Sequence, residues 1–432
     1  MNIAIIGAGL TGMTAGLRLS QKGNKVTIYE KENYLGGLAS SVHVGSEAID
    51  RFYHHIFLSD LEVLTLIDEL GLKDRLNWYK PKNAIYIDNS IHPFTSPFDL
   101  LCFKPLSFIS RIRMGIMVLA SKFNKDYLSF ETITAKEWII KNSGREAWQK
   151  VWEPLIKSKF DIDSERISGT WIWNKLKLRG SSRGKNLNKE MLGYLDGAFN
   201  KIVEKMAERI IQSGGNILLD NEVTTIIKNE SGSFDIVSKN LNANYDQILF
   251  TSSPNLLSDI FQGPYNNYKE SLSRIRYKAN ICVLLELSQS LSPYYWITVA
   301  QEGLPFVLII EHTNLVGLKN YNSHVVYLSR YLDISDPLYS ASDDDIINEF
   351  ADGLKKVFPG VNRQMIKNIT ISRAPFAQPV ITLGYSKTIP DIISPVKGLY
   401  LASMSQIYPE DRGLNYAVRL GQKAANEILG NL

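Results

Sequence analysis

Residues 1–40 read MNIAIIGAGLTGMTAGLRLSQKGNKVTIYEKENYLGGLAS, and the parsing of this stretch decides the fold. Asn2 to Ile6 is a short continuous apolar run, the pattern of a strand buried on both faces in a parallel sheet. Thr11 to Lys22 comes next, with apolar positions at helical spacing, ended by Gly23 and Asn24. Lys25 to Tyr29 forms a second strand, with Glu30 at its carboxyl end. Between first strand and helix stand Gly7, Ala8, Gly9, Leu10, Thr11 and Gly12. Each glycine costs backbone entropy on folding, so three at this spacing need a reason. Gly7 permits the turn, Gly9 lets backbone approach a ligand, and Gly12 lets the helix pack tightly on the strand. Unsatisfied N–H groups at the helix start then face whatever lies over the glycines, which favours a pyrophosphate. Glu30, with Lys31 beside it, is placed to accept hydrogen bonds from a ribose. An acid there disfavours a 2′-phosphate, because two anions would meet. The ordered unit predicts a dinucleotide site; a purely structural βαβ unit is the alternative.

The residues beyond the acid narrow the choice of dinucleotide. The run EKENYLGGLAS adds Gly36 and Gly37, with Leu38 and Ala39 directly after them. In this the chain resembles the flavin amine oxidase and protoporphyrinogen oxidase superfamily, whose members lay such a pair along the phosphates and ribityl chain of FAD. Many relatives carry a basic residue directly after the pair, where this chain has Leu38. Four later segments share the resemblance. LGYLDGAFNKIVEKMAERI (Leu192 to Ile210) is similar to the lead into a helix, with Ile202, Met206 and Ile210 on one face. GGNILLDNEVTTI (Gly214 to Ile226) is similar to the strand pair in which the position of Val223 contacts adenine through its backbone, and YDQILFTSSP to the strand that returns to the cofactor domain. The end, KGLYLASMSQIYPEDRGLNYAVRLGQKAANEIL, is similar to the closing strand, loop and helix, which implies that Ser403, Gly413, Leu414 and Asn415 lie beside the flavin.

Composition sets limits. A chain of 432 residues is too long for one small core, so two or three domains are expected. The net charge of +4, with 48 basic against 44 acidic residues, is too balanced to argue for nucleic acid. The two cysteines, Cys102 and Cys282, supply neither a disulfide framework nor a metal cluster. The N-terminal apolar run lacks a basic leader and reads as a strand, so a cytoplasmic protein is expected, with peripheral contact at the inner membrane face as the alternative.

The resemblance implies an α/β fold: a Rossmann-like FAD domain of the glutathione-reductase type with a discontinuous substrate domain. Residues 1–75, 192–255 and 388–432 are assigned to the FAD domain, 76–191 to a helical part of the substrate domain, and 256–387 to its sheet part. In the first insert, TAKEWIIKNSGREAWQKVWEPLIKSKF reads as two helices broken at Asn142 to Gly144; in the second, NICVLLELS and LPFVLIIEHT read as strands over the flavin.

The segment AIDRFYHHIFLSD (Ala48 to Asp60) comes after the glycine pair, where superfamily members pass the isoalloxazine ring, and UDP-galactopyranose mutases carry a similar aromatic and histidine segment there. Tyr53, His54, His55 and Phe57 are therefore the candidate flavin neighbours, with the histidines as candidate acid–base groups. On a strand the two histidines would point to opposite faces, so at most one of them is expected to meet the flavin; the alternative is a solvent-facing histidine beside a hydrogen-bonded structural one. KLKLRGSSRGK (Lys175 to Lys185) reads as a surface loop, or as a mobile loop over a phosphorylated substrate. LSFISRIRMGIMVLASKF (Leu106 to Phe123) reads as an amphipathic helix buried by its apolar face, with an in-plane membrane helix as the alternative.

The resemblance implies an FAD-dependent oxidoreductase that moves hydride between a small molecule and noncovalently held flavin. The substrate is expected to be largely apolar, glycosylated or phosphorylated, with the electron acceptor left open. The alternative is a mutase-like isomerase acting on a nucleotide sugar, which would need cations such as Arg179 and Arg183. A third reading is a catalytically silent FAD-bound partner protein. Amine oxidation is disfavoured because LASMSQIYPEDRGLNYA lacks the aromatics that relatives place around an amine.

Overall fold

The computed structural model describes residues 1–124, 126–181, 190–318 and 321–430, without the side chains of residues 179–181. Five parallel strands form the first sheet, in the spatial order Asn216–Leu218, Lys25–Tyr29, Asn2–Ile6, Gln247–Phe250 and Leu399–Leu401. Ile3, Ala4, Ile5, Val26 and Ile28 are fully buried, as continuous apolar strands covered on both faces must be. The helix Leu10–Gln21 covers one face together with Asn200–Gln212, whose Ile202, Met206 and Ile210 are buried, and with the closing helix Leu414–Gly430. The other face meets a second sheet, in the order Asn242–Tyr245, Phe234–Ser238, Val223–Lys228 and Phe261–Gln262. Mixed α/β layering around a parallel sheet is the architecture expected.

A seven-stranded sheet is built around Tyr277–Leu287, which pairs antiparallel with both His324–Leu332 and Ile366–Pro379. Its far edge comes from the first insert: Asn83–Ile87 and Ser90–Pro93 join it through Trp296–Val299, so residues 76–191 are not wholly helical. Asp88 and Asn89, at φ 50° and 54°, turn this hairpin, a conformation that Asp and Asn adopt more readily than most residues. The helices fill residues 97–181, with the chain breaking at Gly144 as expected. Asp163 ties them to the sheet by pairing with Arg276 (2.8 Å) and with the fully buried Lys278 (3.0 Å).

Two local expectations are corrected. Lys175 to Ser181 continue the helix Gly169–Ser181 rather than a loop, because Trp171, Ile172, Trp173 and Leu176 bury one side of it; Arg183 lies outside the described residues. The helix Phe108–Phe123 buries Ser110, Met114, Met117 and Ser121 and turns its larger apolar side chains to solvent. Its rotation is set by Arg111, which donates to the carbonyls of Leu106 (2.7 Å) and Leu101 (2.8 Å), and by Arg113, which donates to those of Asn142 (3.1 Å) and Lys141 (2.9 Å).

Candidate active site

Two glycine turns lie against each other at the end of the first strand. Gly7, at φ 107°, turns the chain out of the strand, and the Gly36 amide donates to the Ala8 carbonyl at 3.0 Å. A Cβ on Gly37 would stand 3.4 Å from the Cα of Gly9, so backbone meets backbone here. A Cβ on Gly12 would lie 2.1 Å from the Gly7 oxygen, whereas no atom lies within 4 Å of the place a Cβ on Gly9 would take. Gly12 therefore serves the packing of helix on turn, and Gly9 faces open space.

Glu30 braces this arrangement. Its carboxylate accepts the Ala8 amide at 2.9 Å and the Glu32 amide at 3.1 Å. Burial pushes its carboxyl above the ordinary range, opposed by those two backbone donors. Ala8 and Gly12 stand behind the wall, while Gly7, Gly9, Leu10 and Thr11 border a cavity of about 740 Å³. Glu30, Lys31 and Val223 border it from the second strand and second sheet, and Gly36, Gly37, Leu38 and Ala39 from the second turn. Ser403, Gly413, Leu414 and Asn415 close it from the last segment. The Asn415 side chain is taken up elsewhere: its oxygen accepts from the Val63 amide (3.0 Å) and its amide donates to Glu62 (2.7 Å).

Tyr53, His54 and His55 all border the same cavity. The alternation expected for the histidines fails because the strand is only Ile56–Phe57 and residues 53–55 are irregular. Ring packing sets their path instead. Tyr53 lies edge-on to Trp296 at 5.4 Å and its hydroxyl meets that of Tyr331 at 3.3 Å, while His55 packs edge-on to Phe57 at 5.2 Å and to Trp296 at 5.8 Å. Burial and the neighbouring Arg412 cation push His54 down to about 4, and its Nδ1 is buried without a hydrogen-bond partner.

Several cavity residues escaped the sequence reading. Arg51, over the Tyr34 ring at 4.5 Å, has a buried Nε with no hydrogen-bond partner. It lies two residues before Tyr53 and supplies a cation near the glycine pair whose next position is Leu38. Asp411 and Arg412 directly precede Gly413, a charged pair that was legible as a signal. Arg412 donates to Gln378 (2.9 Å) and to the Tyr331 hydroxyl, and Asp411 pairs with Lys175. Against the upward push of burial, Lys175, Lys159 and Arg412 hold the Asp411 carboxyl well below its ordinary range. Lys159 had no sequence signal, since only helix docking brings it here. Its Nζ lies over Tyr331 (4.9 Å) and Trp171 (5.1 Å), and no ion pair to it occurs among the described residues. Burial, then the Lys175 and Arg412 cations, depress its ammonium well below the ordinary range, with Asp411 opposing.

These residues fit FAD: open space over Gly9, a helix N-terminus beside it, the Glu30 carboxylate bordering the cavity, and unpartnered nitrogens on Arg51 and His54. The family model described as flavin containing amine oxidoreductase matches residues 10–429. The chain is 22% identical to the 15-cis-phytoene desaturase of Synechococcus elongatus over 484 residues, covering 99% of this chain and 96% of that protein. It is 27% identical to the mitochondrial protoporphyrinogen oxidase of Nicotiana tabacum over 187 residues, 41% of this chain and 37% of that one. Its fold is similar to that of reduced UDP-galactopyranose mutase, with a TM-score of 0.77 at 15% identity over 100% of this chain and 96% of the other. With the family match running from the first glycine turn into the closing helix, the chain belongs to the flavin-containing amine oxidoreductase family and is an FAD-dependent oxidoreductase.

Proposed function

We propose that the enzyme dehydrogenates a small, largely apolar molecule, with FAD held noncovalently and Lys159 placed to accept the proton that the substrate releases. When bound, FAD supplies the two-electron acceptor. The observation that carries the reading is the Lys159 amine, depressed by burial and by two neighbouring cations and bordering the same cavity as the glycine turns. An amine whose charged form is disfavoured, set against the rings of Tyr331 and Trp171, is a better proton acceptor than an ordinary lysine. Gly7, Gly9, Leu10, Thr11 and Arg51 would hold the pyrophosphate, Glu30 the ribose, and the Val223 backbone the adenine. Ser403, Gly413, Leu414, Tyr53, His54 and His55 all border the cavity and would lie beside the ring. Neither Cys102 nor Cys282 borders the cavity, in keeping with noncovalent flavin. Trp152, Trp171, Tyr295 and Trp296 orient the apolar body of the substrate, and Arg412 receives a polar, glycosylated or phosphorylated end.

The test is anaerobic mixing of the yellow protein with fractionated cell extract. A fraction should bleach the flavin, and oxygen or a quinone should restore it. With that fraction, Lys159→Met should slow flavin reduction by about 10²-fold and remove the corresponding limb of the pH profile, with FAD content unchanged. Failure of every fraction to bleach the flavin, with interconversion of UDP-sugar ring forms by the dithionite-reduced enzyme, would overturn the reading in favour of the isomerase.

A further inference from the structure

The helix Phe108–Phe123 has its amphipathicity reversed. Its inward side is Ser110, Met114, Met117 and Ser121, two of them hydroxyls. Its outward side carries Phe108, Ile109, Ile112, Ile116, Leu119 and Phe123, exposed by 64%, 71%, 39%, 60%, 58% and 80%. At the helical pitch these six fall on one continuous stripe. Arg113 stands at one margin of the stripe, Arg111 and Lys122 at the other, and the helix contains no acidic residue. Phe98 and Leu101, also exposed, extend the apolar surface from the adjoining helix Pro97–Leu101, whose Leu100 lies against Gly115. An apolar stripe this continuous is not left to water in a soluble monomer. The flanking arginines donate to backbone carbonyls, and among the described residues neither is in an ion pair, while the Glu146 carboxylate is taken up by Ser107 and Ser110 at the start of the helix.

We propose that this face docks on the surface of an anionic phospholipid bilayer, with the helix in the plane of the interface. The stripe enters the acyl boundary, and Arg111, Arg113 and Lys122 reach the phosphates. Among the described residues no helix is long and apolar enough to cross a membrane, so the attachment is peripheral. Met114, on the inner side of the same helix, borders the active-site cavity, which places that cavity directly behind the docking face.

The holoprotein should float with vesicles in which roughly one third of the lipid is phosphatidylglycerol, far less with pure phosphatidylcholine, and the binding should weaken with salt. Replacing Ile112, Ile116, Leu119 and Phe123 together by Ser should cut binding at least about tenfold, because each buried apolar side chain contributes to partitioning. FAD content and thermal midpoint should stay unchanged, showing that the variant is folded. Arg113→Glu with Lys122→Glu should abolish the preference for anionic lipid. Absence of vesicle binding at every composition, or binding that survives the four serines, would overturn the proposal. So would a dimer in dilute solution that the serines dissolve, because a second copy would then be what covers the face.

Discussion

The Glu30 carboxylate accepts the Ala8 amide at 2.9 Å, so the acid ending the second strand holds the first glycine turn directly. Glu30→Ala should lose this brace together with a ribose contact. FAD affinity should fall by about 1–3 kcal/mol, the usual loss when a buried group is left unpartnered. Glu30→Gln retains one acceptor oxygen and should fall between that variant and wild type. Titration of apoprotein with FAD, monitored by fluorescence quenching, measures both.

Gly9 and Gly12 should separate binding from folding. A Cβ on Gly9 meets no atom within 4 Å, and Gly9 has φ −72° and ψ 174°, which alanine adopts without strain. Gly9→Ala should keep the melting temperature of the apoprotein and lose FAD affinity by tenfold or more, on the order of 1.4 kcal/mol. Gly12→Ala drives its methyl into the Gly7 oxygen and should destabilise the apoprotein itself, by about 1–3 kcal/mol. Equal effects on both quantities in both variants would contradict the assignment.

Arg51 should act through charge. Arg51→Met keeps the stem over Tyr34 and removes the cation, so FAD binding should weaken by about 1–2 kcal/mol. The salt dependence of FAD affinity should also flatten relative to wild type, because one pyrophosphate contact is gone. A change in melting temperature of the apoprotein without a change in affinity would make Arg51 a packing residue.

The histidines differ in what they can do. With its pKa near 4, His54 is neutral at ordinary pH, so its inflection is absent from the flavin-reduction profile between pH 5 and 8. His55, against Tyr295 and Trp296, positions rings, and His55→Asn should slow reduction by about tenfold with FAD content preserved. A wild-type inflection near pH 6.5 that disappears in His54→Asn would refute the neutral assignment.

Asp50 sets an alkaline limit. Burial raises its carboxyl to about 7, although one oxygen accepts the Phe199 amide at 3.1 Å. A carboxyl whose folded pKa lies above its unfolded value of 3.8 loses stability as pH rises from 3.8 through about 7. Asp50→Asn keeps an acceptor for Phe199 and does not titrate. Its advantage over wild type should grow across that window, to the order of 1–3 kcal/mol above pH 8. Denaturant unfolding at pH 5 and pH 8 measures the difference.

The sequence alone determined the cofactor half of the molecule. A buried parallel strand, a glycine turn, a helix and a terminal acid are local patterns whose physics lies within a few residues, so Gly7, Gly9, Glu30, Gly36 and Gly37 could be read in order. The same locality made Asn142 to Gly144 legible as a helix break. Tertiary structure decided what depends on contacts between distant segments. Lys159 reaches Tyr331 only because the helical insert docks on the sheet, with Asp163 against Lys278 at the join. His54 and His55 share a cavity because Trp296, more than 200 positions away, holds the chain off a strand path. The outward turn of the Phe108–Phe123 stripe was likewise beyond periodicity. A helical pattern shows that one face is apolar, but only the carbonyls holding Arg111 and Arg113 fix which way that face points.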